Sequence, residues 1–274
     1  MASSQTVKAV ILARGLGTRM RKNDDSVKMD AKQSSIADSG MKALIKIDRP
    51  FLDYVLSNLA DAGYREICLV IGPGYDAIRN RYTKEVKTQR IAVEFAIQEE
   101  PNGTADAVLA AEKFAEDNPI VVINSDNYYP LDALQKLRTT DGCAVALFDW
   151  ESMIDGSNLE KEQLRRFAVA SIDQSGCLKQ IIEKPNEATW HELPSPPWMS
   201  MNCWRFTPHI FEACRSIKPS ARGELEIPDA VMYTIHQLGQ PFKAITVKSP
   251  VLDLTSRQDI APVAKRLTNK EVCL

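Results

Sequence analysis

Short apolar runs rich in β-branched residues recur through the first half of this chain, at residues 7–13, 66–71, 91–97 and 120–123. Segments of helical period, such as residues 50–62 and 104–116, lie between them. Runs this short read as buried strands, and their alternation with helices predicts an α/β architecture: a mixed, mostly parallel sheet flanked by helices. The segment 50–62 opens with Pro50, suited to a first helical turn, and places Leu52, Val55, Leu56 and Leu59 on one face, as a core helix does. Beyond Ala144 the pattern loosens, with strand candidates at 144–148, 167–172, 178–183 and 201–206. This half extends the sheet and is expected to carry a second ligand pocket. The reading is one domain over 1–274, with a first half to about residue 143, a second over about 144–256 and a C-terminal helix in 257–274.

The first strand leads directly into Ala13-Arg14-Gly15-Leu16-Gly17-Thr18-Arg19-Met20. Glycines at 15 and 17 permit backbone angles that other residues avoid, so consecutive N–H groups can converge on an anion, and Arg19 adds a forked positive charge. The turn therefore predicts phosphate binding. It is not the dinucleotide fingerprint, which needs a third glycine where Met20 stands, and it lacks the Gly-Lys-Ser/Thr of a P-loop.

Thirty-four Lys and Arg against 36 Asp and Glu leave a net charge of −2, with no block of like charge. That balance argues against nucleic acid and acidic membrane surfaces and favours a small ligand. The start of the chain has neither a basic region nor an apolar core, and no apolar run approaches the roughly 18 residues of a membrane helix. A soluble cytoplasmic protein is expected. The six cysteines include no Cys-x-x-Cys pair and read as buried, reduced thiols. Three histidines, none at ligand spacing from a partner, give little support to zinc chemistry or Ser-His and Cys-His hydrolysis. Residues 21–41, polar and rich in Ser, Asp and Lys, and residues 186–197, with three prolines in the last four positions, read as loops or lids.

Six elements in order resemble the sugar-1-phosphate nucleotidyltransferases, particularly the single-domain glucose-1-phosphate thymidylyl- and uridylyltransferases. Residues 13–20 are similar to the family's glycine-rich signature. Lys42-Ala43-Leu44-Ile45-Lys46-Ile47-Asp48-Arg49-Pro50 resembles its lysine before an apolar strand and a helix start. Gln98-Glu99-Glu100-Pro101-Asn102-Gly103-Thr104-Ala105-Asp106-Ala107 is similar to the segment that holds the base. An apolar strand ends in Asp126, Glu183-Lys184-Pro185 follows another, and Arg222-Gly223-Glu224-Leu225-Glu226-Ile227-Pro228-Asp229 resembles a segment of the thymidylyltransferase group. The resemblance implies a Rossmann-like fold of the nucleotide-diphospho-sugar transferase type.

It also implies roles. Arg19 and Lys42 would bind the triphosphate and, with Lys184, form the catalytic set; Ala13, Gly15, Gly17, Thr18, Gln98, Pro101, Gly103 and Thr104 would hold the nucleotide. Glu183, Lys184, Asn202 and Glu224 would hold the sugar phosphate, and Asp126 and Asp253 a Mg²⁺ ion, although Asp253-Leu254-Thr255 replaces the family's usual Asp-x-Gly. Gln98 has a donor and an acceptor for one edge of uracil or thymine, and Gly103 is expected to let backbone approach the base. Arg14 stands where many members carry a small residue, and either contacts phosphate or faces solvent. The stretch between Arg19 and Lys42 is longer than in the thymidylyltransferases.

The implied reaction joins an NTP, UTP or dTTP favoured, to a sugar-1-phosphate, giving NDP-sugar and pyrophosphate. The same reaction with CTP, ATP or GTP, or a catalytically silent nucleotide-sugar sensor on the same fold, are the alternatives. Residues 256–267 read as one amphipathic helix with no appended β-helix domain after it, so one activity per chain is expected, and by resemblance a homo-oligomer.

Overall fold

A computed structural model of the chain describes residues 5–24, 26–192 and 197–274. Its main sheet contains β1 (Lys8–Leu12), β2 (Glu66–Ile71), β3 (Ala92–Ile97), β4 (Ile120–Asn124), β6 (Cys143–Asp149), β7 (Ala168–Ile172), β8 (Leu178–Ile182), β9 (Trp198–Phe206) and β10 (Phe242–Val247). The strands run β10-β6-β9-β4-β1-β2-β3 across the sheet, with β7 and β8 branching from β9. β4, β1, β2 and β3 are mutually parallel, as are β10 and β6, while β9 is antiparallel to both its neighbours. The mixed, mostly parallel sheet matches the sequence expectation. β10 was missing from that expectation.

Alternation along the central strands sends Ile11, Leu69 and Ile123 to one apolar layer and Val10, Val70 and Val122 to the other. Every one of these side chains is buried, so both faces of the sheet are covered by helices, as parallel strands require. The helix Phe51–Ala62 is buried on more than the one face its pattern implies, because Asp53, Ser57 and Asn58 are buried too. Asp53 accepts from Tyr82 (2.7 Å) and pairs with Arg81, Asn58 donates to the Tyr129 carbonyl (2.8 Å), and the Ser57 hydroxyl accepts from the Cys273 amide (3.0 Å). The C-terminal segment lies against this helix: the helical part of 257–274 is a 3-10 turn, Arg257–Asp259, and a helix, Ile260–Leu267, and the rest is an irregular tail.

Three expectations are corrected. Residues 21–41 are not a free loop: Ala31–Ser39 is a helix, opened by a capping box between Asp30 and Gln33 and closed by Gly40. Buried Arg257 ties it down, donating to the Met20 carbonyl (3.0 Å) and Asp38 (2.5 Å). In the other expected loop, residues 186–197, Glu187–Glu192 is helical, and residues 193–196 lie outside the described residues. Residues 42–47 form no strand: Lys42–Leu44 is a 3-10 turn, followed by an isolated bridge between Lys46 and Pro50.

Four of the six cysteines, Cys68, Cys143, Cys203 and Cys214, are buried, and all six are free thiols. Burial pushes Cys68 and Cys214 up to about 12, so neither is a ready nucleophile. Among the described residues no helix is long and apolar enough to cross a membrane.

Candidate active site

After β1 the chain proceeds to β2 and β3 on one side, and β4 then returns to pair with β1 on the other. The loops leaving the carboxyl ends of β1 and β4 therefore diverge, which opens a crevice at this point in any sheet so wound. A cavity of about 630 Å³ lies there, lined among others by Ala13, Gly17, Lys42, Gln98, Gly103 and Asp126. A second, of about 550 Å³, is lined among others by Arg19, Arg166, Glu183, Lys184, Asp126 and Asp253. The two share Asn124, Asp126 and Asn202. They are adjoining chambers with an aspartate between them.

The first chamber rests on two glycines whose roles the sequence did not separate. Gly17 takes φ of 61°, and a Cβ there would lie 2.2 Å from the Gly40 carbonyl oxygen; Gly15 has ordinary backbone angles and open space at its Cβ. Only Gly17 needs to be glycine for the fold. It lets the β1 turn pack on Gly40, whose carbonyl accepts from the Lys42 amide (2.9 Å). No backbone N–H from Arg14 to Gly17 is donated to another described backbone group, which leaves a run of donors on the cavity wall.

Gly103, at φ 113° on the wall of the first chamber, also makes a contact that the sequence did not show. Its missing Cβ makes room for the Leu225 backbone, whose carbonyl oxygen lies 2.3 Å from the Cβ position. Leu225 donates to the Asn102 carbonyl (2.7 Å) and accepts from the Ala105 amide (2.9 Å), while Thr104 Oγ1 accepts from the Ile227 amide (3.0 Å). Residues 222–229 are thereby docked on the Gln98–Ala107 segment, and Glu224, grouped by resemblance with the sugar side, lines the first chamber. Arg19, grouped with the triphosphate, lines the second.

Arg14, on the wall of the first chamber, makes contacts that the sequence did not show. Its guanidinium donates to the carbonyls of Gln98 and Glu99, both at 2.9 Å, and the Tyr75 hydroxyl donates to the Arg14 and Gly15 carbonyls, both at 3.1 Å. The side chain is a strut between the glycine turn and the Gln98 loop.

At the junction, Lys42 forms an ion pair with Asp126. A short antiparallel ribbon, β5 (Asn127–Tyr128) with β11 (Leu252–Asp253), brings Asp253 beside it across a long sequence separation. The Leu254 amide donates to the Asp126 carbonyl (2.8 Å), and Asn158 holds the Asp253 backbone from both sides (2.8 Å each). Asp253 Oδ2 accepts from Asn127 (2.9 Å), but Oδ1 is buried without a partner. Burial, then the neighbouring Asp126 charge, pushes the Asp253 carboxyl up to about 7. A buried carboxylate with one orphaned oxygen beside a half-buried one suits a hard divalent cation. Among the described residues no cluster of three or more His, Cys, Asp or Glu is arranged to hold a metal, so the pair would be completed by oxygens from substrate or water.

In the second chamber Lys184 follows β8 in a left-handed conformation (φ 44°). Burial, and secondarily the Glu226 charge, raises Glu183 above the usual carboxylate range. Asn202 sits where the β6–β9 register shifts, at φ 54°, and its Oδ1 accepts from Trp204 Nε1 (3.1 Å). Trp204 can only donate, so Asn202 keeps its amide hydrogens for the junction it lines. Asn158, Gln163 and Arg166 had no sequence signal, since each comes to the site from a segment outside the motifs, whereas Asn124 ends β4 two residues before Asp126.

The description nucleotidyl transferase belongs to the family model that matches residues 8–249. The chain belongs to that family. It is 29% identical over 82% of its length to a low-salt glycan biosynthesis nucleotidyltransferase of Haloferax volcanii, of which it spans 56%. It is 26% identical to a UTP–glucose-1-phosphate uridylyltransferase of the same organism, covering 95% of this chain and 96% of that one. A glucose-1-phosphate thymidylyltransferase of Neisseria meningitidis is 28% identical over 81% of this chain and 69% of its own length. The fold matches that of UDP-glucose pyrophosphorylase in complex with UDP-glucose, with a TM-score of 0.72, 20% identity and coverage of 96% and 99% of the two chains. The family, and the nucleotide-diphospho-sugar transferase fold that the motifs implied, are thus those of the chain.

Proposed function

We propose that this protein transfers a nucleotidyl group from UTP or dTTP to a sugar-1-phosphate. One observation carries the reading: two chambers meet at Asp126, one with a glycine turn and Lys42, the other with Arg19 and Lys184. That is the layout for two anionic substrates that react end to end.

The nucleophile, a phosphate oxygen of the sugar-1-phosphate, is already anionic at neutral pH and needs no general base. It attacks the α-phosphorus, a new P–O bond forms, and the bond to the bridging oxygen of the β-phosphate breaks as pyrophosphate leaves with the electron pair. The protein's part is to hold two repelling anions in line and balance the charge. Lys184 and Arg19 hold the sugar phosphate, and Lys42 and the turn N–H groups the triphosphate. Asp126 and Asp253 would hold Mg²⁺, which supplies a Lewis acid for phosphate oxygens.

Incubation with Mg²⁺ and a matrix of UTP, dTTP, CTP, ATP and GTP against common sugar-1-phosphates tests this by pyrophosphate release. Release that requires UTP or dTTP together with one sugar phosphate is the expected result. Tight binding of an NDP-sugar with no pyrophosphate from any pair, in folded protein, overturns it in favour of a sensor.

A further inference from the structure

Gln98 is nearly fully buried on the wall of the first chamber, and its side-chain nitrogen is already committed. Nε2 donates to the Gly103 carbonyl (2.9 Å) and to Asp106 Oδ2 (2.8 Å). A carbonyl oxygen and a carboxylate both only accept, so together they fix which end of the amide faces them. Turning the amide over would set Oε1 against two other oxygens, one of them anionic. The backbone of Gln98 is fixed as well, by Arg14 on its carbonyl and by its own amide on the Ile71 carbonyl (2.9 Å). No partner within the described residues takes Oε1.

We infer that Asp106 is a positioning residue for base selection: it holds Gln98 so that an amide oxygen, and not an amide nitrogen, meets the ring edge of the bound nucleotide. This rests on the proposed nucleotidyl transfer and narrows its substrate. An acceptor at that point pairs with a ring N–H, which uracil and thymine carry at N3. Cytosine carries a lone pair at N3, and two acceptors then face each other across a buried contact. The chain thus selects bases with a protonated ring nitrogen, and the discriminating group is a carboxylate one shell behind the glutamine.

The sharpest probe is the pair UTP and CTP, which differ only along this edge. Calorimetric titration of the wild-type protein with each nucleotide, in Mg²⁺, is expected to give UTP about 10- to 100-fold tighter, the range for one mispaired buried polar contact. Asp106→Asn keeps size and shape but removes the anion and can donate as well as accept, so the Gly103 carbonyl is left as the one obligate acceptor facing the Gln98 amide and the hold on its orientation weakens. This variant should melt at the wild-type temperature while its UTP-to-CTP ratio falls at least about threefold from the wild-type value, mainly because CTP binds more tightly. A purely structural role for Asp106 would weaken both nucleotides together. Gln98→Ala should weaken UTP and abolish the preference. An unchanged ratio in Asp106→Asn, with both nucleotides still bound, overturns the inference and leaves the nucleotidyl transfer standing. Failure of the wild type to bind any nucleotide overturns both.

Discussion

Replacing Gly17 by alanine tests how the fold builds the site, because it adds one carbon at a defined clash. The new Cβ would stand 2.2 Å from the Gly40 carbonyl oxygen and 2.6 Å from its Cα, where ordinary contact begins at 3.4 Å, so Gly40 must retreat by about 1 Å. Alanine at φ 61° costs a further ~1–2 kcal/mol, and with the forced displacement the loss of stability comes to about 2–4 kcal/mol. Gly40 cannot move alone, since its carbonyl accepts the Lys42 amide and Lys42 pairs with Asp126. Misplacing a charge by that distance should lower turnover about 100-fold. Gly15→Ala is the control: nothing lies within 4 Å of its added carbon and its φ is not positive, so its stability should stay within about 0.5 kcal/mol of wild type. Urea unfolding and steady-state pyrophosphate release of the two variants give the answer. Equal stabilities for Gly15→Ala and Gly17→Ala would refute the reasoning.

Lys42→Ala should lower turnover by about 10²- to 10³-fold in a folded protein, and near-wild-type kcat would remove Lys42 from the reaction. Arg14→Gly deletes two hydrogen bonds that hold the Gln98 loop and should raise the nucleotide KM about tenfold with kcat preserved; a fall in kcat at constant KM would contradict the strut. Asp253 titrates near 7 in the folded protein and near 4 when unfolded, so the folded state holds this proton more tightly. Its contribution therefore erodes metal-free stability as pH climbs from about 4 to 7 and then levels off, by on the order of 4 kcal/mol in total. Asp253→Asn should accordingly be more stable than wild type at pH 8 but not at pH 4 in chelator, measured by urea unfolding; an equal gap at both pH values would contradict this. In the wild type, Mg²⁺ affinity should rise with pH up to about 7, approaching tenfold per unit, and a flat calorimetric profile would take Asp253 out of the metal site.

The parallel core was legible because β1, β2 and β4 are apolar but for one terminal residue each, and β3 is interrupted only by Glu94. β10 escaped because Phe242-Lys243-Ala244-Ile245-Thr246-Val247 is a half-buried strand whose polar positions blur the run. The helix Ala31–Ser39 carried its own signals in Asp30, Gln33 and Gly40, but its low hydrophobicity made the segment look like solvated loop. Site residues lying on contiguous motifs could be read: Lys42, Gln98, Asp126 and Lys184 all line the two chambers. Their partnerships could not. Arg14 meets Gln98 across 84 residues, and the ribbon that brings Asp253 to Asp126 is two residues per strand, too short to show a period. Gly15 and Gly17 look alike in the sequence and differ only in what lies where a Cβ would be.

A crystal structure with the NDP-sugar product bound tests the central claim most directly. The account predicts the base against Gln98 in the first chamber, the sugar beside Glu183 and Lys184 in the second, and the diphosphate crossing the junction at Asp126 and Asp253. A product lying wholly within one chamber, with the other empty and Asp126 untouched, would contradict it.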